Sequence, residues 1–122
     1  DMRGSALAIE GWTVQGPNAW DTLGQLDALG CTRYVVTDVA KDGMLHGPNI
    51  HMLQEVGKAT SRPLIASGGI AALEDLHRLV DLPHVSGAIL GKAIYEDRFS
   101  IAEAYAAVQA RFDPYEWGPP RP

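Results

Sequence analysis

Three short apolar runs, each leading directly into a small or polar residue, constrain the fold of this chain most strongly. They are Tyr34–Val36 before Thr37, Leu64–Ala66 before Ser67, and Ala88–Leu90 before Gly91. Each run is too short for a helix and lacks polar alternation, which is typical of parallel strands covered on both faces. Successive runs are separated by roughly the 30 residues of one βαβ unit. The pattern predicts an α/β fold with right-handed crossovers.

Segments with helical periodicity lie around and between the three runs. They are Trp20–Leu29 closing at Gly30, Ile50–Val56 closing at Gly57, Leu73–Val80, and a segment from Ser100 to about Phe112. Asn18 and Asn49 each follow a proline and are predicted N-caps. The sequence from Ser100 to Glu103 is a capping-box pattern. Strands and helices therefore alternate along the chain.

The composition excludes several classes of protein. The chain has 122 residues, enough for one domain, and a formal net charge of -5, which disfavours binding to nucleic acid. No apolar run reaches the ~20 residues of a membrane span. The single cysteine, Cys31, excludes an internal disulfide and fits a cytoplasmic protein. The four histidines show no metal-ligand spacing, so no metal site is expected.

The residues that follow the three runs are the candidates for chemistry, because ligands of parallel α/β folds gather at the carboxyl ends of strands. The first run continues into a polar stretch ending in Asp42-Gly43, which is either functional or a solvated turn. The second continues into Ser67-Gly68-Gly69 and the third into Gly91-Lys92.

Glycines at two successive strand ends predict a phosphate site, because they let backbone amides approach the phosphate oxygens. The alternative is that these glycines only form tight turns. Lys92 either reaches the phosphate or simply begins a helix.

Several motifs occur along the chain in an order that resembles one family. They are Asp1-Met2-Arg3-Gly4, Gly11-Trp12, Gly30-Cys31, Val35-Val36-Thr37-Asp38, Lys41-Asp42-Gly43, Gly47-Pro48-Asn49, Ala66-Ser67-Gly68-Gly69 and Gly87-Ala88-Ile89-Leu90-Gly91-Lys92-Ala93. Together they resemble the carboxyl-terminal half of the ProFAR isomerase family of histidine biosynthesis, especially its actinobacterial branch, phosphoribosyl isomerase A.

The resemblance implies that residues 1–112 are half of a (β/α)₈ TIM barrel, from the end of its fifth strand at Asp1 to its eighth helix. The remaining residues, 113–122, are proline-rich and are expected to be an extended or disordered tail. A whole barrel of this type takes ~250 residues. We therefore expect an amino-terminal half-barrel of the same protein to precede Asp1 and to be its partner.

The implied reaction is an Amadori rearrangement of a phosphoribosyl aminoaldose to the aminoketose, without cofactor or metal. An acid opens the sugar ring, and a base removes a proton from C2 of the resulting Schiff base. The resemblance assigns the acid to Asp1 and places the base on the absent first strand. Thr37 and Asp42 are implied to support catalysis by hydrogen bonding near the sugar.

The resemblance also assigns binding roles. Ser67, Gly68, Gly69, Gly91 and Lys92 match the phosphate site of this half, and Gly43 belongs to the substrate-binding set. Trp12 either stacks on a planar part of the substrate or is a packing residue.

The tryptophan-pathway substrate, phosphoribosyl anthranilate, is a second candidate substrate. Bifunctional members carry an arginine where this chain has Glu10, and a carboxylate there repels the anthranilate carboxylate. Arg3 is the candidate replacement. Two alternatives to the isomerase remain: a phosphate-binding half-barrel without activity alone, and the related cyclase subunit of imidazole glycerol phosphate synthase.

Overall fold

The computed structural model describes residues 1–9 and 11–109 of the chain. The strands are β1 (Met2–Arg3), β2 (Ala6–Ile9), β3 (Val14–Asn18), β4 (Tyr34–Thr37), β5 (Leu64–Ser67) and β6 (Val85–Ile89). The helices are α1 (Ala19–Ala28), α2 (Ile50–Ala59), α3 (Leu73–Val80), α4 (Lys92–Tyr95) and α5 (Ile101–Gln109). An α/β architecture is confirmed.

The three apolar runs form one parallel sheet in the order β4-β5-β6. Its register places Thr37 beside Ser67 and Ser67 beside Ile89, so the strands end in one row. The parallel pairing is confirmed. The third strand begins and ends earlier in the chain than predicted. Val85, before the predicted run, already pairs with Leu64 of β5, and Leu90 lies beyond the end of the strand.

Only one face of this sheet is covered within the described residues, whereas the sequence predicts strands covered on both faces. Leu64 and Ala66 on β5 face the helices and are buried, as are Tyr34 and Val36 on β4. Val35 and Ile89 on the other face are 53% and 49% exposed. The sequence is apolar on both faces, but these helices pack against only one of them.

A small antiparallel sheet precedes the parallel one and was not predicted. It has the order β1-β2-β3. Extended structure therefore continues past Asp1, where the sequence predicted a strand end. Met2 also forms a parallel bridge with Asp38, and its carbonyl accepts the Val39 amide at 3.0 Å. This bridge places the segment after Asp1 beside the carboxyl end of β4.

The helix starts follow the sequence closely. Asn18 caps α1 and Asn49 caps α2 through their side-chain oxygens. Ser100 and Glu103 exchange the two hydrogen bonds of the capping box at the start of α5, at 3.0 and 3.1 Å. The predicted end of this helix near Phe112 lies outside the described residues, as does the tail.

The prediction that α2 closes at Gly57 is wrong. The helix continues to Ala59, and its cap is Thr60. Gly57 is buried, and a Cβ there would lie 2.8 Å from Cδ2 of His84. The glycine therefore permits a close approach within the helix instead of ending it.

Candidate functional site

A cavity of about 240 Å³ lies at the carboxyl end of the parallel sheet. Every predicted phosphate-binding residue lines it, together with Asp42 and Gly43; the phosphate set is Ser67, Gly68, Gly69, Gly91 and Lys92. The sequence reasoning missed the apolar part of its wall, which consists of Leu45, Ile70, Ile89 and Tyr95. These residues have no distinctive spacing, so no sequence signal marked them.

The two glycines after β5 have the left-handed backbone conformation that favours glycine, with φ of 96° at Gly68 and 80° at Gly69. A Cβ on Gly68 would lie 3.4 Å from the Asp38 carbonyl oxygen and 3.5 Å from the α-carbon of Asp42. The amide of Gly47 donates to the Gly69 carbonyl at 2.8 Å. The loop after β4 thus rests directly on the Gly-Gly turn.

Thr37 and Ser67 occupy paired positions at the ends of β4 and β5. In a parallel pair, side chains in register point to the same face of the sheet. Thr37 is buried, at 6% exposure, whereas Ser67 lines the cavity. The methyl group of Thr37 lies next to the Gly-Gly turn, 3.4 Å from the position that a Cβ on Gly68 would occupy.

Asp38 organises that loop, a role that the sequence did not reveal. Its carboxylate accepts the Ala40 amide at 3.0 Å and the Asn49 side-chain amide at 2.7 Å. Its carbonyl accepts the amides of Lys41 and Asp42, at 2.9 and 3.1 Å. Asp38 is 8% exposed, and these contacts satisfy its buried charge. It therefore fixes the backbone that presents the exposed Asp42.

Lys92 links two parts of the cavity wall. Its ammonium donates to the Gly43 carbonyl at 3.0 Å and lies 3.9 Å from the Glu96 carboxylate. Lys92 is also the first residue of α4, a position that leaves both alternatives for it open. The contact joins the loop after β4 to the loop after β6.

Asp1, Arg3 and Trp12 form a separate group beside the end of β4. The indole N–H of Trp12 donates to the Asp1 carboxylate at 2.8 Å, and Arg3 donates to the Trp12 carbonyl at 2.8 Å. Trp12 has a φ of 71°, a left-handed conformation that is costly for a residue with a side chain. These two hydrogen bonds hold it there. Glu10 lies outside the described residues.

A second polar cluster lies at the opposite, amino end of the parallel strands. Asp27 accepts hydrogen bonds from the hydroxyls of Tyr34 and Thr60, and the Arg62 guanidinium lies 3.9 Å away. The bond from Tyr34 contributes most to holding the pKa of Asp27 below its ordinary value. Burial, followed by the bond to Asp27, raises the pKa of Tyr34 to about 12. This cluster joins α1 to β4 and, through Thr60, to the end of α2.

Two negative findings concern the described part of the chain. No three histidine, cysteine, aspartate or glutamate side chains within residues 1–9 and 11–109 gather closely enough to hold a metal ion. Over the same residues, no helix has the length and apolarity to cross a membrane.

The family model for "Histidine biosynthesis protein" matches residues 1–100, which include every residue of the cavity and of the Asp1 group. The chain belongs to this family. The resemblance found in the sequence is thereby confirmed. The matched region contains all six strands, so both sheets belong to the part of the chain that the family model covers.

Similar proteins carry the names of isomerases. A 1-(5-phosphoribosyl)-5-((5-phosphoribosylamino)methylideneamino)imidazole-4-carboxamide isomerase of Frankia casuarinae is 53% identical over 106 residues, covering 87% of this chain and 42% of that protein. Phosphoribosyl isomerase A of Streptomyces griseus is 50% identical over 112 residues, covering 90% of this chain and 46% of that protein. The chain spans less than half the length of the curated relatives it matches.

A more distant likeness concerns the fold alone. The crystal structure of the Amycolatopsis orientalis BexX/CysO complex contains a chain that is 20% identical and superposes with a TM-score of 0.61. The match covers 84% of this chain and 43% of the other.

Proposed function

We propose that this chain is the carboxyl-terminal half of a (β/α)₈ barrel and contributes half of the active site of a ProFAR isomerase. The cavity at the carboxyl end of the sheet carries the proposal, because it gathers all the predicted phosphate-binding residues in one place. Family membership and the names of the relatives supply the reaction class.

The uncovered sheet face supports a half-barrel. Val35 and Ile89 expose apolar surface on a face that would be the interior of a closed barrel. The bridge from Met2 to Asp38 supports it too, because it aligns the segment after Asp1 parallel to β4. An amino-terminal half of the same protein is the partner that would close the barrel and cover this face.

The cavity would bind one phosphate of the substrate. The Gly68-Gly69 turn and the Gly91-Lys92 segment line it, so their backbone amides would be the donors to the phosphate, and Lys92 would supply a positive charge. Its hydrogen bond to Gly43 would at the same time hold the loop that presents Asp42 to the sugar. The other phosphate would bind the partner half.

Asp1 would be the general acid that protonates the ring oxygen as the sugar opens to a Schiff base. The base that then removes the C2 proton would come from the partner half. Loss of that proton and reprotonation elsewhere convert the aldose to the ketose, so no redox partner or metal is required. The indole N–H on Asp1 places Trp12 next to this acid, where its ring could also contact the substrate.

ProFAR is the preferred substrate in this proposal. Glu10 stands where bifunctional members place an arginine for the anthranilate carboxylate, and two carboxylates repel each other. Arg3 is tied to the Trp12 carbonyl, which leaves it less free to replace that arginine. A cytoplasmic location remains a prediction.

The test is an assay of the purified full-length gene product with ProFAR and with phosphoribosyl anthranilate. We expect turnover of ProFAR and much slower turnover of phosphoribosyl anthranilate. Failure to convert ProFAR would refute the proposed function. Equal turnover of both substrates would refute the preference that rests on Glu10.

A further inference from the structure

Asp75 is a buried carboxylate just behind the cavity, and it does not line the cavity itself. It lies on the first turn of α3 and is 5% exposed. One oxygen, Oδ2, accepts the backbone amides of Ala71 and Ala72, at 2.8 and 3.1 Å. The other, Oδ1, forms an ion pair with Arg78 one turn further along the helix. A buried charge is tolerated only with such a set of partners.

This ion pair lies against the point where the two loops of the site touch. Gly47 donates its amide to the Gly69 carbonyl at 2.8 Å. A Cβ built on Gly47 would lie 3.5 Å from Nη2 of Arg78 and 3.6 Å from Oδ1 of Asp75. Gly47 itself is buried and has a φ of 95°.

The same carboxylate therefore acts on both loops. Through Ala71 and Ala72 it fixes the segment that follows the Gly68-Gly69 turn. Its Oδ1 also lies 3.6 Å from the position that a Cβ on Gly47 would occupy, which places the carboxylate next to the loop that carries Asp42. Because Asp75 already accepts the amides of Ala71 and Ala72, those two amides are not available to a phosphate.

We propose that Asp75, held by Arg78, is a positioning residue that sets the Gly68-Gly69 turn for phosphate binding. It does not touch the substrate and acts only through the backbone. This inference rests on the proposed function, since it names the residue that shapes the phosphate site of that function.

Asp75→Asn in the full-length protein is the direct test. The carboxamide has the shape of the carboxylate, but its NH₂ group would face either the Arg78 guanidinium or the two backbone amides, all of which are donors. We expect KM for ProFAR and Kd for inorganic phosphate each to rise roughly tenfold, with a much smaller change in kcat. Inorganic phosphate is the probe for the calorimetric titration, which is done on protein shown to be folded.

Glu74→Gln is the matched control. It removes the same charge from the neighbouring position of α3, but Glu74 is exposed. Its KM and Kd should equal those of the unmodified protein. Arg78→Ala is a second variant, which we expect to weaken phosphate binding less than Asp75→Asn does, because the two backbone amides keep their acceptor.

A purely structural helix cap would lower the melting temperature of Asp75→Asn and leave KM and Kd unchanged, and that result would overturn the inference. An equal effect of Glu74→Gln would also overturn it. If Asp75→Asn does not fold, an unchanged KM and Kd in Arg78→Ala overturns the inference, and a rise in both supports it. An unmodified protein that neither binds phosphate nor converts ProFAR would refute the proposed function itself, and this inference with it.

Discussion

Gly69 is the residue at which the site tolerates a side chain least. Its φ is 80°, and a Cβ there would overlap the carbonyl of Gly47, whose carbon would lie at 3.0 Å. The oxygen and the carbon of this carbonyl are backbone atoms, so the overlap cannot be relieved by rotating a side chain. The loop after β4 would have to move away from the turn.

We therefore predict that Gly69→Ala weakens phosphate binding roughly tenfold or more and destabilises the protein by about 1–3 kcal/mol. The measurements are a calorimetric titration with inorganic phosphate and denaturant unfolding, both on the full-length protein. Gly24→Ala is the control, since Gly24 lies within α1 with nothing near its Cβ position. That variant should gain about 0.5–1 kcal/mol and bind phosphate normally. Normal phosphate binding by Gly69→Ala would contradict this account of the turn.

The sequence could predict those residues of the cavity that directly follow a strand. Ser67, Gly68 and Gly69 stand directly after an apolar run, so sequence order alone places them at the end of the sheet. Asp38 and Asp75 were not predictable as organisers, because their roles depend on which backbone amides fold back onto them. Periodicity along the chain does not carry that information.

At the scale of elements, the Asp27 cluster joins three pieces of secondary structure through one carboxylate. Tyr34 begins β4, Asp27 lies on the last turn of α1, and Thr60 caps α2. The pKa of Asp27 is lowered and that of Tyr34 is raised to about 12. Both shifts have consequences for the pH dependence of stability.

A carboxyl group whose pKa is lower in the folded state stabilises the fold above its unfolded pKa, and this stability is lost as the pH falls below about 3.8. A phenol whose pKa is raised stabilises the fold below its unfolded value of 10.0, and this stability is lost as the pH rises towards about 12. We predict that Tyr34→Phe abolishes the alkaline loss due to this residue and reduces the acidic loss due to Asp27.

The measurement is the free energy of unfolding of the full-length protein across pH 3 to 11 for Tyr34→Phe and for Tyr95→Phe as control. Tyr95 is 85% exposed, so its replacement should leave the pH profile unchanged. An identical profile for Tyr34→Phe and the unmodified protein would show that the cluster does not act as described.

The elements themselves were predictable where local signals exist. Asn18, Asn49 and Ser100 mark helix starts because a side-chain oxygen next to a periodic segment satisfies free amides. The antiparallel β1-β2-β3 sheet was missed because its strands contain Gly16 and Pro17, which are unusual within strands. The continuation of α2 through Gly57 depends on the distant His84 and could not be seen locally.

At the scale of the whole molecule, the open face of the parallel sheet is the feature that demands explanation. Apolar residues occupy both faces of β4 and β5, yet in the described residues the buried ones lie on the helix-covered face, whereas Val35 on the other face is 53% exposed. An amino-terminal half-barrel would cover this surface and bring the missing base opposite Asp1. The proposed division of labour is thus phosphate binding and the general acid on this chain, with the base on its partner half.

The most direct test of this account is Asp1→Asn in the full-length protein, assayed for ProFAR turnover and for binding of inorganic phosphate. A group that protonates the substrate contributes roughly 10²–10⁴-fold to the rate, so turnover should fall by that factor while the Kd for phosphate stays the same. Asp21→Asn, which removes an exposed carboxylate from α1, is the control and should retain full turnover. Unchanged turnover in folded Asp1→Asn would contradict the central claim that this chain supplies the acid of an aldose-ketose isomerase.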